Sequence, residues 1–214
     1  MKKTVKAMLI GAVAIMLLLP SLSLAKGITA GFKIGVNYAD FFGEQVGEIE
    51  ELLGNEFKSK WGLCAGGFIQ FNISKVFAVQ PEFLYTMKGA RMEDEIVGET
   101  LKVAYNLSYL EVPVLVKFMI PTPGGVKPSL FVGPAIAFKL SAKMKIELAR
   151  AEDLREDVSE DMEDTGFGLI IGGGLDFGKL RFDVRYSLGL TSISIDESEE
   201  IKNGVISLKV GFSF

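Results

Sequence analysis

The chain has no histidine and only one cysteine, Cys64, among its 214 residues. The first absence removes the commonest general base and the commonest metal ligand. The second excludes an internal disulfide, and a single thiol without imidazole leaves almost nothing from which to build a structural zinc site. Also missing is any apolar run of the length that a membrane-spanning helix requires. Yet mean hydropathy is positive, beside 27 acidic and 23 basic residues. That apolar character must be distributed in some form other than a helix.

The N-terminus holds the one continuous apolar stretch. A basic Met1-Lys2-Lys3-Thr4-Val5-Lys6 precedes Ala7 to Leu19, then Pro20 and Ser23-Leu24-Ala25. Basic, apolar and small-residue segments in that order predict a secretory signal peptide over residues 1–25, cleaved after Ala25. The apolar part is short for a membrane anchor, the competing reading. No cysteine follows the cleavage point, so a lipid-modified N-terminus is not expected. Residues 26–214 then form one domain.

Within that domain the dominant signal is alternation with a period of two, the mark of strands with two unlike faces. Ile28, Ala30, Phe32, Ile34, Val36 and Tyr38 alternate with Thr29, Gly31, Lys33, Gly35 and Asn37. Seven further apolar faces follow: Trp61 to Phe71, Phe77 to Met87, Leu110 to Phe118, Leu130 to Leu140, Phe167 to Phe177, Leu180 to Leu190, and Ile206 to Phe214. Leu101 to Leu107 is in the opposite phase, which predicts a bulge near Leu107 and Ser108. Short connections (Ile73 to Val76, Met119 to Lys127, Gly178-Lys179) alternate with long polar ones (39–59, 89–100, 145–164, 192–203). Eight strands with strictly alternating short and long connections predict an all-β fold, an eight-stranded antiparallel up-and-down transmembrane β-barrel. Short turns and both mature termini are expected in the periplasm, and long loops outside the cell.

The charges obey the same division. No residue named on the apolar faces is charged, as contact with hydrocarbon demands. A soluble barrel with an apolar interior is the alternative. It is disfavoured by aromatic residues grouped near the strand ends: Tyr38, Trp61 and Phe167 at one end; Phe71, Phe77, Phe118, Phe177, Phe212 and Phe214 at the other. All acids outside the four long connections (Glu82, Glu111, Asp176 and Asp183) fall at lumen-facing positions. Lys33, Lys117, Arg185 and Lys209 join them there. Lys33, Glu82, Glu111, Lys117, Asp183, Arg185 and Lys209 are therefore expected to form one interior ion-pair network that plugs the barrel. Glu82 and Glu111 on adjacent strands also suit general acid–base chemistry, but neighbouring cations offer a simpler structural role.

Short ordered motifs carry a family resemblance. Gly31-Phe32-Lys33-Ile34-Gly35, Gln80-Pro81-Glu82-Phe83-Leu84-Tyr85 with Lys88-Gly89, Tyr109-Leu110-Glu111-Val112-Pro113, Gly133-Pro134 and Gly211-Phe212-Ser213-Phe214 together resemble the outer-membrane β-barrel (PorT-like) porin family. The resemblance implies an eight-stranded barrel in the bacterial outer membrane and no particular activity. The terminal Phe214 looks like the signal read by the barrel-assembly machinery.

The remaining motifs are weak. The acidic segment 145–164 carries Leu148, Leu154, Val158 and Met162 at spacings that allow a short amphipathic helix. It lacks EF-hand spacing, so solvation is preferred over cation binding, and a basic protein partner stays open. Gly172-Gly173-Gly174 is followed by no helix, so it is not a phosphate-cradling loop; strand curvature or close packing is the expected role. No catalytic residue, cofactor or metal is expected, and no nucleic-acid surface is present. The expected partners are outer-membrane lipid and lipopolysaccharide, around a monomer. The leading expectation is a non-enzymatic structural or surface-interaction barrel. A small-solute channel or carrier is second; a secretion-system component or lipid-modifying enzyme follows.

Overall fold

The computed structural model describes residues 27–43, 46–47, 51, 58–96, 99–148, 154–160, 162–194 and 201–214. The expected signal segment, with its cleavage residue Ala25, lies outside them. Ten strands occur among these residues: β1 (Ile28–Phe42), β2 (Lys58–Asn72), β3 (Phe77–Lys88), β4 (Ala90–Ile96), β5 (Glu99–Met119), β6 (Val126–Leu148), β7 (Leu154–Asp157), β8 (Thr165–Phe177), β9 (Leu180–Gly189) and β10 (Lys202–Ser213). Eight of them close into a ring, each antiparallel to its neighbours: β1, β2, β3, β5, β6, β8, β9 and β10, with β10 paired back onto β1. β4 and β7 extend two of the long connections.

Closure is staggered, and the stagger can be followed residue by residue. From Ile28 the pairing runs to Phe71, Val79, Val116, Val132, Ile171, Tyr186 and Ile206, and returns to β1 at Tyr38, ten residues beyond its start. For eight strands such a shear tilts them by roughly 40° from the axis and leaves an interior only side chains can fill. Every residue on that circuit is apolar and lies on the outer face. Ile34, Trp61, Leu63, Leu130, Ile171, Phe177 and Val184 are more than half exposed, forming a belt far larger than a soluble monomer tolerates. The surface is built for hydrocarbon.

The short turns are set by local chemistry. Gly178 takes φ +58° in the two-residue β8–β9 turn, a conformation glycine adopts without a Cβ clash. In the β2–β3 turn the Ser74 hydroxyl accepts hydrogen bonds from the amides of Val76 and Phe77 at 3.2 and 3.0 Å.

The long connections are less loop-like than expected. Arg91–Ile96 pairs with Glu99–Ala104, and Lys143–Ile146 pairs with Leu154–Asp157, so both hairpins project beyond the barrel as sheet. Where segment 145–164 allowed a short amphipathic helix, Leu154–Asp157 forms β7 instead. The pairing irregularity does fall at Ser108/Tyr109. However, the extra residue is Leu140 on β6, and the pairing of β5 with β3 continues without a shift. The reversed alternation of β5 has another cause. Leu107 and Phe41 point inward beyond the ion-filled lumen, into an apolar cluster with Val46, Ala90, Tyr109 and Ala142. Val158, Met162, Ile193 and Ile201 from the long connections pack on it. At this end of the strands apolar side chains turn inward, because the interior there is a small apolar core.

Candidate functional site

The lumen-facing positions of β1, β3 and β9 bring four charges together. The Lys33 ammonium donates to Glu82 Oε1 at 2.9 Å and to the Asp183 carboxylate. Arg185 donates from Nη1 to Glu82 Oε2 at 2.7 Å, and from Nη2 to Glu82 Oε1 at 3.2 Å and Asp183 Oδ2 at 2.8 Å. These four residues are only 0–3 % exposed. Gln80 adds a hydrogen bond to Glu82 at 2.7 Å. Two cations and two carboxylates thus neutralise one another where neither sign could stand alone.

The expected single network divides here. Glu111 pairs with Lys88 at 2.5 Å, toward the long-connection end. Lys117 pairs with Asp176 at 2.9 Å, toward the short-turn end. Lys209 sits directly opposite Asp183 in the β9–β10 register, yet no carboxylate among the described residues lies within 4.0 Å of its ammonium. Asp183 is already held by Lys33 and Arg185. Glu111, Lys117 and Lys209 therefore do not join the quartet. Pairing of lumen charges follows side-chain reach across the barrel, which strand depth alone does not specify. Glu82 and Glu111 each meet cations, so the acid–base reading gains no support from their geometry.

Aromatic rings that composition did not single out complete the interior. Phe68 lies beneath both Lys33 and Arg181, at 5.0 and 4.7 Å from its centroid, and Phe131 beneath Arg185 at 5.2 Å. Each ring face attracts a cation. Glycines make the room. A Cβ on Gly31 would come within 2.7 Å of the Phe68 ring, and one on Gly172 within 2.7 Å of the Phe131 ring. Leu115, Phe131, Ala135 and Ile170 form a second inward apolar cluster. The cue was available in the alternation: Phe68 and Phe131 stand on the otherwise polar faces opposite glycine-rich strands.

Above the quartet, the apolar cluster and its packed connections cap the lumen. The Lys139 ammonium ties them down through Ser159 O at 2.6 Å, Met162 O, and Asp164 at 3.0 Å. A cavity of only about 40 Å³ lies beside Lys88, Tyr109, Glu111 and Asn203. Below the quartet, the short-turn end opens into a polar vestibule of about 740 Å³. Among the described residues no His, Cys, Asp and Glu group could hold a metal ion.

An outward apolar belt, a closed ring of tilted strands and a charge-filled interior define a transmembrane β-barrel. Residues 20–194 match the family of the outer membrane protein β-barrel domain, and the chain belongs to that family, an integral protein of the bacterial outer membrane. No curated protein matches the sequence. Among solved structures it is similar to Neisserial surface protein A (13% identity, 88% of this chain and 100% of that one, TM-score 0.48). It is also similar to Ail of Yersinia pestis (16%, 89% and 100%, 0.42) and OprG of Pseudomonas aeruginosa (11%, 87% and 94%, 0.43).

Proposed function

We propose that this protein is a non-enzymatic outer-membrane barrel whose lumen is closed to solutes and whose work is done at its surfaces. The observation that carries this reading is the buried Lys33–Glu82–Asp183–Arg185 quartet, lying across the lumen beneath the apolar cap. A solute would have to break several charge-assisted hydrogen bonds with no water to replace them. The long connections, with most of the acids, face the cell exterior and meet a basic protein partner or the cation-bridged lipopolysaccharide surface. The short turns and both mature termini face the periplasm, after cleavage at Ala25. Phe214 serves as the assembly signal for the barrel-assembly machinery. The barrel is a monomer, since a closed ring leaves no unpaired strand edge among its eight members.

Planar-bilayer recording of the refolded protein tests this. Silence at moderate voltage is expected; sustained open-channel current would sink it in favour of a small-solute channel or carrier.

A further inference from the structure

We infer that the vestibule at the short-turn end is a binding site for a small phosphate-bearing anion. The space lies at the turns, and the lumen-facing Gln70, Asp176 and Arg181 line it. Its cations come from separate parts of the chain: Lys75 from the β2–β3 turn, Lys127 from the start of β6, Lys179 from the β8–β9 turn, and Arg181 from β9. Its acids are fewer. Asp176, the acidic side chain of its lining, is engaged by Lys117 through both oxygens, at 2.9 and 3.1 Å. Among the described residues no carboxylate lies within 4.0 Å of Lys75, Lys127 or Lys179, so positive charge is in surplus.

Arg181 gives this surplus a focus. Its side chain is 7% exposed, with the guanidinium over the Phe68 ring. Nη1 donates to Gln70 at 2.6 Å and to Gln80 at 3.4 Å, and lies 3.8 Å from the Asp176 carboxylate that Lys117 already holds. Buried Nε has no acceptor, and Nη2 donates to none of the described residues. Nη2, which unlike Nε is not among the buried atoms, is left to donate to an oxygen of a tetrahedral anion. Three flexible lysines around the opening then suit the remaining charge of a phosphate better than a single carboxylate. The same chemistry has two sources, a soluble phosphate compound or the headgroup of an anionic lipid. The aromatic residues Phe77, Phe118, Phe177 and Phe212 place this mouth at headgroup level. The site depends neither on which compartment the mouth faces nor on whether the barrel conducts.

The test uses the refolded full-length barrel in dodecyl maltoside micelles, titrated with sodium pyrophosphate at constant ionic strength and followed by nuclear magnetic resonance. Saturable shifts of the Arg181 Nε–H signal and of the three lysine amines are expected. Arg181→Gln should weaken binding about tenfold or more, as loss of a charge-assisted contact does. If that variant fails to fold, the exposed triple change Lys75→Gln, Lys127→Gln, Lys179→Gln should weaken it at least as much. Lys102→Gln, near the opposite end, should leave it unchanged. Shifts that never saturate, that chloride reproduces, or that persist in both vestibule variants would overturn the site. In nanodiscs, weaker pyrophosphate binding with phosphatidylglycerol than with phosphatidylcholine identifies a lipid headgroup as the ligand. Equal binding identifies a soluble one.

Discussion

Arg185 holds Glu82 across the full width of the lumen, with Nη1 at 2.7 Å from one carboxylate oxygen and Nη2 at 3.2 Å from the other. The residues are 103 positions apart in the chain, on β9 and β3, which are not neighbours in the ring. Glu82 also accepts Lys33, so one carboxylate ties together strands from three parts of the barrel.

Removing that carboxylate should be expensive. Glu82→Ala leaves Lys33 and Arg185 buried with Asp183 alone, and loss of one partner of a buried pair costs about 3–5 kcal/mol. The double variant Glu82→Leu, Arg185→Met should lose less than the sum of its single changes. Urea unfolding in lipid vesicles measures both; strict additivity would mean that the two side chains act independently.

Val184 lies between the quartet members Asp183 and Arg185 but points outward, 56% exposed on the belt. Val184→Lys should destabilise the inserted barrel by about 2–4 kcal/mol if that position is near the midplane. Its stability in detergent should change much less, because a micelle lets the ammonium reach water. Equal losses in vesicles and micelles would argue that Val184 does not meet hydrocarbon.

Gly172→Ala puts a methyl group within 2.7 Å of the Phe131 ring and close to the Val184 carbonyl. Neither the backbone nor a ring packed under Arg185 gives way easily, so a cost of about 1–3 kcal/mol is expected. Thermal melting followed by circular dichroism reads it. Gly178→Ala should also destabilise, but through its positive φ rather than through crowding, and Phe131→Leu would relieve only the Gly172 variant.

Cys64 faces the lumen and is 3% exposed. A maleimide should therefore label it rapidly in the urea-unfolded chain and very slowly in the folded barrel. Fast labelling of folded protein would show that the interior opens to molecules of that size, contrary to the packed lumen proposed above.

The positions and number of the ring strands, and the outward face, were legible because β structure alternates with a period of two and hydrocarbon tolerates no charge. The ring of Ile28, Phe71, Val79, Val116, Val132, Ile171, Tyr186 and Ile206 was already present as eight apolar stripes. Legibility fell where the environment changed along one strand. In β5 the apolar residues move from the odd positions ending at Leu107 to the even ones beginning at Leu110. The backbone keeps its pairing with β3 there, while the surroundings exchange. A one-dimensional pattern cannot separate a flipped strand from exchanged surroundings. The extended hairpins were hidden for a related reason, since charged strands in water look like loops.

The interior divides along the same line. Sequence alone determined which charges enter the lumen, because side-chain parity follows directly from the strand phase. Which cation meets which carboxylate was decided only by closure of the ring. The shear of ten residues sets Lys33, Glu82, Asp183 and Arg185 within reach of one another. It leaves Glu111 to Lys88, Lys117 to Asp176, and Lys209 with no partner among the described carboxylates. Parity is a local property of the chain, whereas partnership across a lumen depends on tilt, side-chain length and the rings of Phe68 and Phe131 filling the remaining space.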